Sequence, residues 1–170
     1  WATAPAPHRA GRRSSPKQPK APALVKPTLS REDVAALIEA TKAGRTMLRD
    51  TALILFMLDT GARANEVCTL KAADILWSDR LAKLYGKGQK ERFVPFSPQT
   101  AKAMQKYGMK ARNAECPAFF QSEEGEALTT SGLFQFCRRL GNRAGVALNP
   151  HKFRHTFCTE SLRSGASVFT

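Results

Sequence analysis

Asn149-Pro150-His151-Lys152-Phe153-Arg154-His155-Thr156-Phe157 is the stretch on which the reading of this chain turns. Asn149 followed by Pro150 spells a helix start. The Asn side chain can accept a free backbone N–H, and proline at the first helical position gives up an N–H that had no partner anyway. Gly165 is expected to close the helix. His151 and Arg154, spaced i, i+3 in the first turn, project from one face. Free N–H groups and the helix dipole there favour an anion. Arg154 adds a planar fork that matches two phosphate oxygens, and His151 adds a group that exchanges a proton near neutral pH. Alone the pattern is weak, because a histidine near a helix start is commonly a structural hydrogen-bonder.

Two upstream stretches could complete an anion site. Leu48 to Asp59 is apolar nearly all round, which predicts a buried central helix. Gly61 breaks it, and a short helix is expected over Arg63 to Leu70. Arg63 therefore enters from a rigid base. Glu66, at i+3, either pairs with it on the surface or braces it from beneath. Lys87 lies at the tip of a predicted hairpin, Tyr85-Gly86-Lys87-Gly88-Gln89-Lys90-Glu91-Arg92. Flanking glycines allow close approach to a ligand, although a solvated basic turn is the commoner fate of such a loop. The phosphate-loop pattern of nucleotide hydrolases is absent.

The remaining sequence is that of one domain with a leader of different composition. Residues 1–27 hold six of the ten prolines, Arg9, Arg12, Arg13, Lys17, Lys20 and Lys26, and no acid. Such a segment cannot offset its ordering entropy by burial, so a disordered basic linker is expected, with an N-terminal domain once preceding it. The linker accounts for +6 of the net +13, which leaves residues 28–170 basic in their own right. A polyanion is the expected partner. Cys68, Cys116, Cys137 and Cys158 form no metal or disulfide spacing, which fits a reducing cytoplasm. The longest apolar run, Ala52 to Leu58, is too short for a bilayer, so no membrane association is expected.

Ser30 with Asp33 predicts a capped helix to about Lys42. Asp74–Trp77, Ala82–Tyr85 and Arg92–Phe96 read as a three-stranded antiparallel meander. Pro98 opens a helix to about Tyr107. Ala118–Phe120 reads as a short strand. Thr129 or Thr130 caps a helix with Leu133, Phe136, Cys137 and Leu140 on one face. The fold class is α+β, mainly helical, with a small three-stranded antiparallel sheet.

The order Thr-Gly-x-Arg-x-x-Glu, Gly-Lys-Gly-x-Lys-Glu-Arg-x-Val-Pro, His-x-x-Arg-His-Thr-Phe resembles the catalytic domain of tyrosine recombinases, the phage-integrase family. The resemblance covers roughly residues 28–170. It implies site-specific DNA recombination or integration. A tyrosine hydroxyl attacks a phosphodiester, giving a 3′-phosphotyrosine and a free 5′-hydroxyl. Arg63 and Arg154 would clamp the non-bridging oxygens, Lys87 would protonate the leaving 5′-oxygen and His151 would assist proton transfer. Glu66 and His155 would support them from behind. The partner would be double-stranded DNA, touched by Arg63, Lys87, Lys90, Arg92, Lys152 and Arg154, with self-association on DNA in the full-length protein. Two arginines do the charge work, so no metal or other cofactor is expected.

Departures from the family pattern are plain. The family places a further His or Trp, then the nucleophilic tyrosine, after the His-x-x-Arg helix. Tyr85 and Tyr107 are the two tyrosines here, and neither matches that place. A recombinase fragment lacking its nucleophile is the expectation. The alternative is a non-catalytic DNA-binding module on the same scaffold. An RNA-binding role is disfavoured, because the aromatics fall at core-like positions and form no stacking stripe.

Overall fold

A computed structural model describes residues 28–86, 88 and 90–165. The segment 1–27 read as a linker, and Lys87, lie outside the described residues. Six α-helices and one sheet follow in order: α1 (Arg31–Thr41), α2 (Met47–Thr60), α3 (Ala64–Thr69), a 3-10 turn (Ala72–Asp74), β1 (Ile75–Leu76), β2 (Leu81–Tyr85), β3 (Glu91–Pro95), α4 (Pro98–Lys110), α5 (Thr130–Ala144) and α6 (Pro150–Arg163). The strands pair antiparallel in the order β1-β2-β3. The fold is thus the mainly helical α+β arrangement with a three-stranded meander that the sequence predicts.

Local chemistry sets the helix starts. Ser30 and Asp33 form a reciprocal capping box on α1. Ser97 caps α4, Thr129 caps α5, and the Asn149 side chain accepts from the Lys152 N–H at the head of α6. The last of these fixes where His151 and Arg154 fall.

α2 is the hub, with α4 against one side and α6 against another. Ala52, Leu53, Ile54, Phe56 and Met57 are sealed from solvent on it. Phe56 meets Phe96 and Phe120, and Tyr107, Phe119 and Trp77 extend the aromatic cluster towards α4 and the sheet. At the head of α2, Arg49 and Asp50 are an ion pair inside this core. Arg49 donates through Nε to Asp50 (2.9 Å), through Nη1 to the Gln121 carbonyl (3.0 Å) and through Nη2 to Thr46 (3.0 Å). Burial pushes the Asp50 carboxyl above its ordinary range, and the charge and hydrogen bonds of Arg49 oppose this.

Two predicted strands differ. β1 is shorter than Asp74–Trp77, because Ala72–Asp74 coils into a 3-10 turn. Ala118–Phe120 is no strand. Ala118 makes a single bridge to Lys71, while the Phe119 N–H donates to the Leu70 carbonyl. Its apolar side chains instead plug the aromatic cluster.

At the tail of α2, Gly61 takes the left-handed conformation, φ +57°, and lies against Phe157 of α6. A Cβ there would come 2.3 Å from the Phe157 ring. Gly61→Ala is expected to cost about 2–4 kcal/mol by chemical denaturation, from backbone strain plus overpacking. Adding Phe157→Ala should relieve the clash but not the backbone strain. Arg49→Met, which strands a buried Asp50 carboxylate, is expected to cost about 3–5 kcal/mol in the same assay.

Candidate phosphate-binding site

The Gly61 turn is where the predicted site residues begin to meet. Arg154, half-buried on α6, donates through Nη1 to the Gly61 carbonyl at 2.7 Å. Arg63 follows two residues later as the N-cap of α3. Its guanidinium is mostly open to solvent, with 59% of the side chain exposed. One guanidinium therefore rises from α6 and the other from the turn it holds.

Glu66 lies beneath Arg63 and is only 2% exposed. Oε1 accepts from Arg63 Nη1 at 3.1 Å. Oε2 accepts from the Arg63 backbone N–H and from Arg92 Nη2, each at 2.8 Å. Burial alone would raise this carboxyl. The hydrogen bonds from Arg92 and from the Arg63 amide and side chain, with the charge of Arg92, hold it below the ordinary carboxylate range. Glu66 thus makes the i, i+3 pair with Arg63 from a buried position, with Arg92 as a second cation on the same carboxylate.

Arg92, expected to touch DNA, reaches from β3 to Glu66. Its Nε is buried with no hydrogen-bond partner among the described residues. Gly86 closes the β2–β3 hairpin through its N–H on the Lys90 carbonyl (2.9 Å), and a Cβ placed on Gly86 would lie 3.9 Å from Glu66 Oε1. The hairpin that carries Lys87 thus starts beside the Arg63 brace. Lys90 is exposed on the far side of that loop.

His151 is exposed in the first turn of α6, with its ring edge-on to Phe134 of α5 at 6.0 Å. Lys152 folds back to the Ala147 carbonyl at 3.0 Å, anchoring the loop before α6. His155 is half-buried on the same helix. The sequence reading missed Phe134, which sits one residue off the buried stripe of α5. It also missed Thr156, whose hydroxyl accepts the Leu29 N–H at 2.9 Å and ties the entry of α1 to α6. The place of Phe134 off the Leu133, Phe136, Cys137 and Leu140 stripe was the available signal for the first; nothing in the sequence marked the second.

Among the described residues no three His, Cys, Asp or Glu side chains gather as a metal-binding set. Burial pushes the Cys68 thiol to about 11 and the Cys137 thiol to about 12, so both are inert as nucleophiles. Tyr107 is buried and stacked near Phe120, and the Tyr85 hydroxyl donates to Asp74 at 3.4 Å on the sheet. Among the described residues no helix is long and apolar enough to cross a membrane.

Comparison with known proteins places the scaffold. The XerD tyrosine recombinase of Bifidobacterium longum is 31% identical over 91% of this chain and 55% of its own length. The XerA tyrosine recombinase of Pyrococcus furiosus is 30% identical over 89% of this chain and 54% of its own. The chain spans about half the length of the curated relatives it matches. A crystal structure of XerA recombinase superposes with a TM-score of 0.74 at 28% identity, over 89% of this chain and 54% of that one. XerH recombinase bound to its difH substrate shares the fold, with a TM-score of 0.68 at 22% identity over 84% of this chain and 45% of that one. Residues 27–170 match the phage integrase family, and with the same scaffold in the Xer recombinases, the chain belongs to that family of tyrosine recombinases.

Proposed function

We propose that this chain is the phosphate-holding core of a site-specific DNA recombinase, in which Arg63 and Arg154 grip one phosphodiester of double-stranded DNA. The observation that carries the reading is the Arg154 bond to Gly61, two residues before Arg63. It ties the Arg154 fork to the turn that leads into Arg63, which supports a pair of permanent positive charges of the kind that stabilises a five-coordinate phosphorus. In the reaction, a tyrosine oxygen bonds to phosphorus as the bond to the 5′-oxygen breaks. The tyrosine proton passes towards His151, and Lys87 delivers a proton to the departing 5′-oxygen. The phosphodiester energy is kept in the phosphotyrosine, so rejoining reverses the step without a nucleotide. Four unpaired cysteines suit a reducing, cytoplasmic setting, and partner subunits would assemble on the DNA.

Tyr107 is in the core and Tyr85 is held on the sheet, which supports a nucleophile supplied by a tyrosine outside this sequence. The same observation favours a second reading, a DNA-binding module without cleavage. A nicked suicide duplex distinguishes the outcomes. Binding without a covalent adduct is expected from this chain, and an adduct would show that one of its own tyrosines attacks.

Affinity for duplex DNA should fall steeply with salt, as phosphate contacts release counterions. Arg154→Ala should weaken binding about tenfold and lower the log–log salt slope by about 0.9, while leaving a cooperative thermal transition. Loss of that transition would make Arg154 a structural residue only.

A further inference from the structure

Two guanidiniums share one buried carboxylate at the centre of the site. Glu66 offers Oε1 to Arg63 and Oε2 to Arg92, so the trio carries a net +1. The sharing is unequal. Arg92 makes the shorter contact, 2.8 Å against 3.1 Å, and Arg63 gives only one side-chain N–H to Glu66. Among the described residues the rest of the Arg63 fork bonds nothing further, and its side chain stays 59% exposed, against 37% for Arg92. Arg92 also leaves its buried Nε–H unanswered among the described residues, a cost that its attraction to Glu66 must outweigh.

We propose that Arg92 is a positioning residue: it neutralises Glu66, and thereby keeps the Arg63 guanidinium available to a DNA phosphate. This rests on the reading that Arg63 holds such a phosphate. The physical reason is that a carboxylate 2% exposed must find a cation. With Arg92 in place, Glu66 is satisfied from the β3 side and Arg63 need lend only one donor. Without Arg92, Arg63 is the one cation among the described residues that still bonds Glu66; it closes on the carboxylate through both arms of its fork, and the remaining pair falls to zero net charge. Arg63 would then be present but occupied. Arg92 also belongs to the hairpin that carries Lys87, so the availability of Arg63 is tied to a residue of that hairpin.

The test is the salt-dependent affinity of the chain for a short fluorescent duplex of arbitrary sequence, with a thermal melt on each variant. R63A and R92M are each expected to weaken binding about tenfold and to lower the salt slope by about 0.9. The double variant R63A/R92M should bind no more weakly than R63A, because Arg92 acts through Arg63. R92M/E66Q should recover most of the R92M loss, since no carboxylate remains to capture Arg63, and R92K should stay near wild type. R92K and R92M/E66Q leave no uncompensated buried charge, so they carry the test even if R92M folds poorly. Additive losses in R63A/R92M would mean that Arg92 touches DNA itself and would overturn the proposal. So would an unchanged R92M, or R92M/E66Q binding no better than R92M. An unchanged R63A would overturn the phosphate reading, and the proposal with it.

Discussion

The contact of α6 with the Gly61 turn is the constraint on which the site depends. Three demands meet at one residue. Gly61 must adopt φ +57° to end α2, must lack a Cβ to admit Phe157, and must present its carbonyl to Arg154. Any side chain there would push α6 away, and Arg154 would leave with it. Because α2 is buried on several sides, the turn cannot shift to compensate. The reach between the two arginines is therefore set by core packing, not by the flexible arginine side chains.

Electrostatics then decides what those arginines are free to do. Clustered guanidiniums repel, and a carboxylate among them removes the repulsion. A surface carboxylate would do so weakly and would be screened by salt. Glu66 is buried, so its charge acts at low dielectric, and three hydrogen bonds keep it ionised. The arrangement holds Arg63 by its backbone N–H and a single guanidinium N–H while leaving its outer donors exposed. Arg154 reaches a similar compromise with a neutral carbonyl, which fixes direction without cancelling charge.

Much of this was legible in the sequence, because its signals are local. Ser30 with Asp33, Pro98 and Asn149-Pro150 are chemical statements about individual backbone N–H groups, and the helices begin beside them. The apolar run of α2 and its stop at Gly61 were legible for the same reason. What failed was non-local. Ala118–Phe120 has the composition of a strand, but its partners are an aromatic cluster and single backbone contacts from Leu70 and Lys71. The Arg92–Glu66 bond spans 26 residues, and no spacing rule reaches that far. The motif read Arg92 as a basic residue near DNA; only the β2–β3 register and the burial of Glu66 give it another partner.

The two kinds of work the chemistry asks for are mounted differently. Charge stabilisation needs fixed donors, and Arg63 and Arg154 hang from the α2–α6 core where nothing moves cheaply. Proton transfer needs groups that approach and withdraw as bonds change. His151 sits exposed at the outer turn of α6 against Phe134, itself 42% exposed, and the hairpin is joined to the site chiefly through Arg92 and the approach of Gly86. Glu66 is where the core and the hairpin meet: Oε1 accepts from the Arg63 guanidinium and lies beside Gly86, and Oε2 accepts from the Arg63 N–H and from Arg92. On the proposed reading, Arg63 is tied to the hairpin through the charge of this one buried carboxylate.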